Sequence, residues 1–362
     1  MQISIIILCG NPVGTITDQE VYRGEMDLVK KADTLGFDAI WAPEHHFDTY
    51  CMCPDNTQIL SYLAGQTKNM KLGIGAAIMP WHDPLRVIEK VSLLDILSEG
   101  RVLLAFGRGL AKLEYDGWRQ NMSESRERFN ESTRAVVEAL ERGVAEYHGK
   151  FYDQPRVDIH PFIPRSFKDR VFGIAMSPES VEPVADLGAT MMTFVQGPIE
   201  QHLPGIVAHR EQYQRKHGRL PDPAVLVDFT YCHDDPAEAE RGARDYLSTY
   251  FSSVVKHYNL LGNDLAGVKG YTSWDEASKM MRQIGKETVL QTYVEAMIWG
   301  TPQQILDKFE QRYAKCPGGF SPTFCFSFGG MPFAKAEASM RLFAKKVLPE
   351  LRRIDKTSSR AA

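Results

Sequence analysis

The 362-residue sequence contains no apolar run near the ~20 residues that a membrane-spanning helix needs. A helical membrane protein is excluded on that ground. It lacks an excess of either charge: 42 Lys and Arg face 46 Asp and Glu, a net charge of −4. Such a balance exerts no overall pull on nucleic acid or on an anionic membrane surface. The apolar start Met1-Gln2-Ile3-Ser4-Ile5-Ile6-Ile7-Leu8 lacks a basic flank and a long apolar core, so it reads as a buried strand and not as a secretion signal. Cysteine is sparse. Cys9, Cys51, Cys53, Cys232, Cys316 and Cys325 are scattered, and Cys51-x-Cys53 has neither the spacing nor the second pair of a zinc or redox motif. Reduced thiols in a cytoplasmic protein are expected. No shift in composition marks a linker, and no G-x-G-x-x-G is completed between a strand and a helix.

What is present is a repeated alternation of short apolar strands with amphipathic helices. Strands are expected at 2–8, 38–42, 72–79, 102–106, 171–175, 189–195, 225–232 and 322–328. The run Leu72 to Met79 is continuously apolar, as a strand covered on both faces should be. Between the strands, Thr17 with Glu20 forms a capping box and Gly36 stops the first helix. Leu85, Ile88, Val91, Leu94 and Leu97 are spaced to share one stripe of a helix over 85–98. Residues 147–165 read as an irregular surface excursion, 236–300 as a long mixed segment, and 334–352 as a final helix. Eight strand-helix units predict an α/β fold, a (β/α)8 barrel with insertions over residues 1–354 and a disordered tail over 355–362. A doubly wound open sheet is the alternative.

The densest chemistry follows the second strand. Pro43 ends the strand's pairing, and Glu44-His45-His46-Phe47 follows at once, at the end of the strand where barrels place their sites. On extended backbone Glu44 and His46 point one way and His45 the other, so the three do not converge on one metal. The imidazoles are read as an acid, base or hydrogen-bond donor in a pocket, against packing for structure alone. Gly73-Ile74-Gly75 suits a close backbone approach within a strand. Arg108, between two glycines at the fourth strand's end, suits a phosphate. Ser177-Pro178-Glu179-Ser180 opens a helix, with Ser177 as its cap, and offers free N–H groups to an anion.

With Gly75-Ala76-Ala77-Ile78-Met79-Pro80, Pro84-Leu85-Arg86, Leu93-Leu94-Asp95, Ser98-Glu99-Gly100-Arg101, Gly107-Arg108-Gly109-Leu110, Ser125-Arg126, Ala175-Met176-Ser177-Pro178-Glu179-Ser180 and Gly300-Thr301-Pro302 in this order, the chain resembles the bacterial luciferase-like flavin monooxygenases nearly end to end. The resemblance implies a (β/α)8 barrel that takes reduced FMN (FMNH2) from a partner flavin reductase. Oxygen then adds to the flavin as a C4a-peroxide, which oxidises a small organic substrate. It also implies a homodimer, a catalytic His45, and a cis peptide at Gly75-Ala76 under the flavin ring. Arg108, the backbone at Leu110, Met176, Ser177 and Ser180 match its phosphate contacts. The luciferases have glutamate at Met176 and a reactive cysteine at Gly107, so the resemblance does not extend to light emission. Trp81, Phe47, Tyr50, Trp118 and several methionines favour a lipophilic substrate such as an aldehyde or ketone, and 258–290 is read as a lid. A deazaflavin-dependent oxidoreductase, a metal-dependent barrel hydrolase and a non-catalytic flavin binder are the competing functions.

Overall fold

A computed structural model describes the backbone of residues 1–361 and the side chains of residues 1–354. The tail expected over 355–362 lies outside the fully described residues. Eight parallel strands close into one barrel in sequence order: β1 (Ser4–Ile6), β2 (Ala39–Ala42), β3 (Lys71–Ile78), β4 (Val102–Gly107), β5 (Val171–Ile174), β6 (Thr190–Phe194), β7 (Ala224–Phe229) and β8 (Phe320–Cys325), which pairs back with β1. The closed barrel rules out the open sheet, because β1 hydrogen-bonds to both β2 and β8 and leaves no edge.

Local chemistry sets the connections. Thr17 accepts from the Glu20 amide, the Glu20 carboxylate accepts from the Thr17 amide, and Gly36 turns out of the helix Asp18–Leu35 at φ 91°. Thr301 and Gln304 form the same reciprocal cap on the helix Pro302–Lys315. Each helix returns the chain to the same end of the sheet, so all eight strand C-termini gather on one rim.

Three segments depart from the expected layout. The excursion over 147–165 overlaps an antiparallel hairpin, Val144–His148 with Asp153–Asp158, irregular between Ala145 and Tyr147, whose largely exposed residues give no apolar alternation. The mixed segment over 236–300 holds three helices, Pro236–His257, Thr272–Ile284 and Lys286–Ala296. The last helix is two, Phe333–Lys346 and Leu348–Ala361, parted at Val347. On the helix Pro84–Leu97, Val87, Ile88, Val91 and Leu94 are buried, while Leu97 is 56% exposed and leaves the expected stripe.

The barrel interior is filled by one large ring against glycines. Trp41 on β2 is fully buried and meets Phe172, three strands away on β5, edge to face at 5.0 Å. Its indole lies over β3, where a Cβ on Gly73 would sit 2.2 Å from Trp41 Cε3 and one on Gly75 2.8 Å from it. Overpacking a rigid interior costs about 1–3 kcal/mol. Gly73→Ala is therefore expected to lower the midpoint of thermal unfolding, and Trp41→Leu in the same chain to recover part of the loss. A Gly73→Ala midpoint equal to wild type would refute this account of the interior.

Candidate functional site

On the C-terminal rim lies a cavity of about 470 Å³, within the range of small-molecule and cofactor sites. His45, Gly75, Ala76, Arg108, Leu110, Met176 and Ser180 all line it; Ser177 stands behind, its Oγ 3.1 Å from Ser180 Oγ. The Gly75–Ala76 peptide is cis, and the Ala76 carbonyl accepts from Asn56 Nδ2 at 3.0 Å. Gly75 and Gly107 add no side chain to the wall here, and Gly107 has no room for one: a Cβ on it would lie 2.6 Å from Ile78 Cδ1 and 3.3 Å from Ala76 Cβ.

One end of the cavity is cationic. Arg108 donates to the Gly270 carbonyl at 2.7 Å and lies 3.8 Å above the Tyr271 ring. Arg126, at the start of the helix Ser125–Arg142, donates to Ser180 Oγ at 3.3 Å. Burial and the charge of Arg108 bring Arg126 down to about 10. Two guanidiniums this close repel unless an anion joins them. Ser177 stands at the N-cap of the helix Pro178–Asp186, as expected, but its side chain makes no cap bond there. Its hydroxyl pairs with Ser180 instead, and the first amides of that helix remain unbonded by it. A doubly charged anion fits this corner. Met176 turns its sulfur to the Thr193 hydroxyl and the Phe194 amide, at 3.2 and 3.0 Å, so only its backbone is free to reach an anion.

The other polar cluster surrounds the histidines. Glu44 accepts from His82 Nε2 at 2.7 Å, His46 Nε2 at 3.2 Å and the Ile78 amide at 3.0 Å. These bonds tie the loop after β2 to the end of β3. His45 turns the opposite way. Its Nδ1 lies 3.1 Å from Glu114 Oε1, which also accepts from the His46 amide at 2.7 Å, and its Nε2 lies 3.4 Å from the Tyr258 hydroxyl. Burial raises Glu114, but His45 and His257 outweigh it and hold the carboxyl at about 2. Glu114 is thus an acceptor at neutral pH, which makes His45 Nδ1 the donor and leaves Nε2 to take or give a proton toward the cavity.

Glu114, Arg126, His257 and Tyr258 lie outside the residues that sequence alone assigned. Glu114 sits on the short helix Lys112–Gly117 with no periodic signal, and His257 and Tyr258 arrive from over 140 positions away at the end of the helix Pro236–His257. Only Arg126 had a signal, as part of Ser125-Arg126. The contiguous Glu44-His45-His46 motif does not converge on one point, but the fold gathers another set: ligand atoms of His45, Glu114 and His257 lie within 4.8 Å of one another.

The outer wall is apolar. It is built by Phe229 and Tyr250, by Trp274, Met281 and Ile284 of the helix Thr272–Ile284, and by Val289 and Tyr293 of the next. Ser273 anchors that wall, donating through its amide and hydroxyl to Glu179 Oε1 at 3.2 and 2.7 Å. All six cysteines are free and buried, and none lines the cavity.

The Glu44–His82 pair has a pH signature. Burial lowers His82, but the Glu44 charge and hydrogen bond raise it overall. Burial raises Glu44, yet His82, His46 and the Ile78 amide lower it overall. A raised histidine contributes fully below its unfolded value of ~6.5 and loses that contribution as pH climbs through its folded value. His82→Gln is therefore expected to lower the unfolding midpoint at pH 6, with the gap narrowing by pH 9. A gap that widens with pH would reverse the assignment.

The description "luciferase-like monooxygenase" belongs to the family that matches residues 1–317. Among curated relatives, the oxygenase component of the flavin-dependent trigonelline monooxygenase of Acinetobacter baylyi is 22% identical over 347 residues, covering 92% of this chain and 91% of that one. The crystal structure of the monooxygenase RslO1 from Streptomyces bottropensis superimposes with a TM-score of 0.79 at 22% identity, covering 97% of this chain and all of that one. The oxygenating constituent of 3,6-diketocamphane monooxygenase from Pseudomonas putida, solved with FMN, gives 0.76 at 16% identity over 96% and 98% of the two chains. The coenzyme F420-dependent tetrahydromethanopterin reductase of Methanopyrus kandleri gives 0.66 at 17% over 97% and 99%. These structures share the fold, and the match over residues 1–317 decides the rest: the chain belongs to the luciferase-like monooxygenase family.

Proposed function

We propose that the protein is the oxygenase of a two-component flavin monooxygenase, which takes reduced FMN from a flavin reductase and uses O2 to oxidise a small uncharged organic molecule such as an aldehyde or ketone. One observation carries this reading. A single cavity joins a corner lined by Arg108 and Ser180, with Arg126 and Ser177 bonded behind Ser180, to a carboxylate-held histidine and an apolar wall. The bound reduced flavin supplies two electrons, so that one oxygen atom of O2 enters the substrate and the other leaves as water.

The chain's own residues divide the remaining work. Arg108, Arg126, Ser180 and Ser177 hold the phosphate, with the Leu110 and Met176 backbones beside it. Gly75, Ala76 and Gly107 give the ring a wall with no side chain larger than a methyl. Helices Thr272–Ile284 and Lys286–Ala296 act as the lid that keeps water out, which protects reactive oxygen chemistry from hydrolysis. His45 moves the proton at Nε2, and Glu114 fixes its orientation through Nδ1.

Loss of one charge-assisted phosphate contact costs about 1.5–3 kcal/mol. Arg108→Ala and Arg126→Ala are each expected to weaken FMN roughly ten- to a hundred-fold while changing riboflavin little, as read by flavin fluorescence. Equal losses for both flavins would put the phosphate elsewhere.

His45→Ala is expected to fold, to bind FMN, and to lose ~10²–10⁴-fold in substrate oxidation while O2 uptake continues and hydrogen peroxide is released. His46→Ala is expected to lose thermal stability as well as rate. A substrate screen with FMN, a reductase and an oxygen electrode reads all three quantities. Uptake that requires a deazaflavin instead of FMN would favour the deazaflavin-dependent reading.

The homodimer is supported by an apolar face on two neighbouring helices. Leu93, Ile96 and Leu97 of the helix Pro84–Leu97 and Tyr62 of the helix Asn56–Ala64 are 51%, 41%, 56% and 54% exposed. Light scattering is expected to give twice the chain mass of 40.9 kDa, and Leu93→Glu with Leu97→Glu to halve it. A wild-type mass of one chain at every concentration would exclude the dimer.

A further inference from the structure

We infer that His45, Glu114 and His257 form a binding site for a divalent transition ion of the zinc–cobalt class, and that the ion, when bound, silences His45. The geometry of the three side chains carries the inference. His45 Nδ1 stands 3.1 Å from Glu114 Oε1, His257 Nε2 stands 3.5 Å from the same oxygen, and the three ligand atoms lie within 4.8 Å of one another. Ligands bound at 2.0–2.1 Å in a tetrahedral shell lie ~3.4 Å apart, so these atoms need only small shifts to surround an ion. Two imidazoles and one carboxylate suit zinc, cobalt and nickel and do not suit calcium or magnesium.

The second observation is the state of His257. It is 2% exposed, and neither ring nitrogen has a hydrogen-bond partner of acceptable geometry; the 3.5 Å approach to Glu114 is misaligned. Glu114 Oε2 is also buried and unbonded. Buried polar atoms are rarely left without a partner, and His257 Nε2, 3.5 Å from the Glu114 carboxylate, is one that an ion in this cluster would satisfy. The Tyr50 ring stacks on His257 at 4.6 Å and meets His45 edge-on at 5.0 Å, so both ligands are held in orientation before an ion arrives.

The consequence for His45 is a change of tautomer. Without an ion, Nδ1–H donates to Glu114, and Nε2 is the basic nitrogen on the cavity side, with the Tyr258 hydroxyl 3.4 Å away as its donor. An ion on Nδ1 displaces that proton. The imidazole then carries its hydrogen on Nε2, where the Tyr258 oxygen, 3.4 Å away, accepts it. The nitrogen proposed to accept a proton is thereby occupied. This last step rests on the monooxygenase reading, whereas the binding site does not.

The test uses the whole, flavin-free protein and Co²⁺ as the probe. Titration is expected to show one Co²⁺ per chain with visible d–d bands, displaced by Zn²⁺, and paramagnetically shifted signals from two imidazoles. His257→Gln, which keeps the volume and a polar end, is expected to weaken Co²⁺ at least tenfold, and Glu114→Gln likewise, while circular dichroism remains native. His82→Ala, outside the cluster, is expected to leave Co²⁺ affinity unchanged. Absence of saturable 1:1 binding, a thiolate charge-transfer band, or full affinity in a folded His257→Gln protein would each overturn the site. In the assay with FMN and reductase, Zn²⁺ at saturation is expected to suppress substrate oxidation in wild type, with the required concentration rising tenfold or more in His257→Gln. If Co²⁺ binds as described and Zn²⁺ leaves oxidation unaffected, the site stands and the role given to His45 falls.

Discussion

A carboxylate shut away from water must be surrounded by donors, and at the rim of this barrel that requirement falls on Glu114. Its Oε1 is approached by the His45 ring, the His46 amide and the His257 ring. Those three groups come from two segments that are distant in sequence, so one oxygen bonds the loop after β2 and has the end of the helix Pro236–His257 packed beside it at 3.5 Å. Glu44 does the same on the other side, binding that loop to β3 through His46, His82 and the Ile78 amide. The histidine that faces the cavity is therefore held by buried charge on both flanks, and its ring nitrogens have distinct environments before any ligand is present.

The cavity keeps its charges apart. The guanidiniums of Arg108 and Arg126 collect at one end, where the Glu179 carboxylate, bonded to Ser273, is near enough to offset part of the Arg126 charge. The carboxylates Glu44 and Glu114 sit at the histidine end, and the lining between the two ends includes Gly75, Ala76, Ile78 and Gly107, none of them charged. The segment carrying Gly270, Tyr271 and Ser273 bonds to Arg108, Gly109 and Glu179. The helices of the outer wall are thus fastened at the cationic end, and their free length reaches over the apolar part.

Much of the site was legible in short motifs because strand ends fix where neighbouring side chains go. Pro43 after β2 and Gly107-Arg108-Gly109 after β4 mark places where ladder pairing stops and a side chain turns onto the rim. Gly73 and Gly75 signalled a close approach, though the group that approaches at Gly73 is Trp41 of the same barrel. The hairpin over 144–158 escaped detection because both its faces are largely exposed, so no apolar alternation marks it.

The sequence by itself determined the βα alternation, the barrel, and the strand ends from which His45, Arg108 and the Ser177–Ser180 helix project, since each depends on local periodicity, caps and breakers. Only the tertiary structure decided which partners meet there. Glu114 and His257 stand 143 positions apart, and Arg126 and Ser180 stand 54 apart. No local pattern relates residues so separated. Their juxtaposition follows from closing eight strands into a ring, which brings every strand's far end to one rim and leaves buried charge to choose its neighbours.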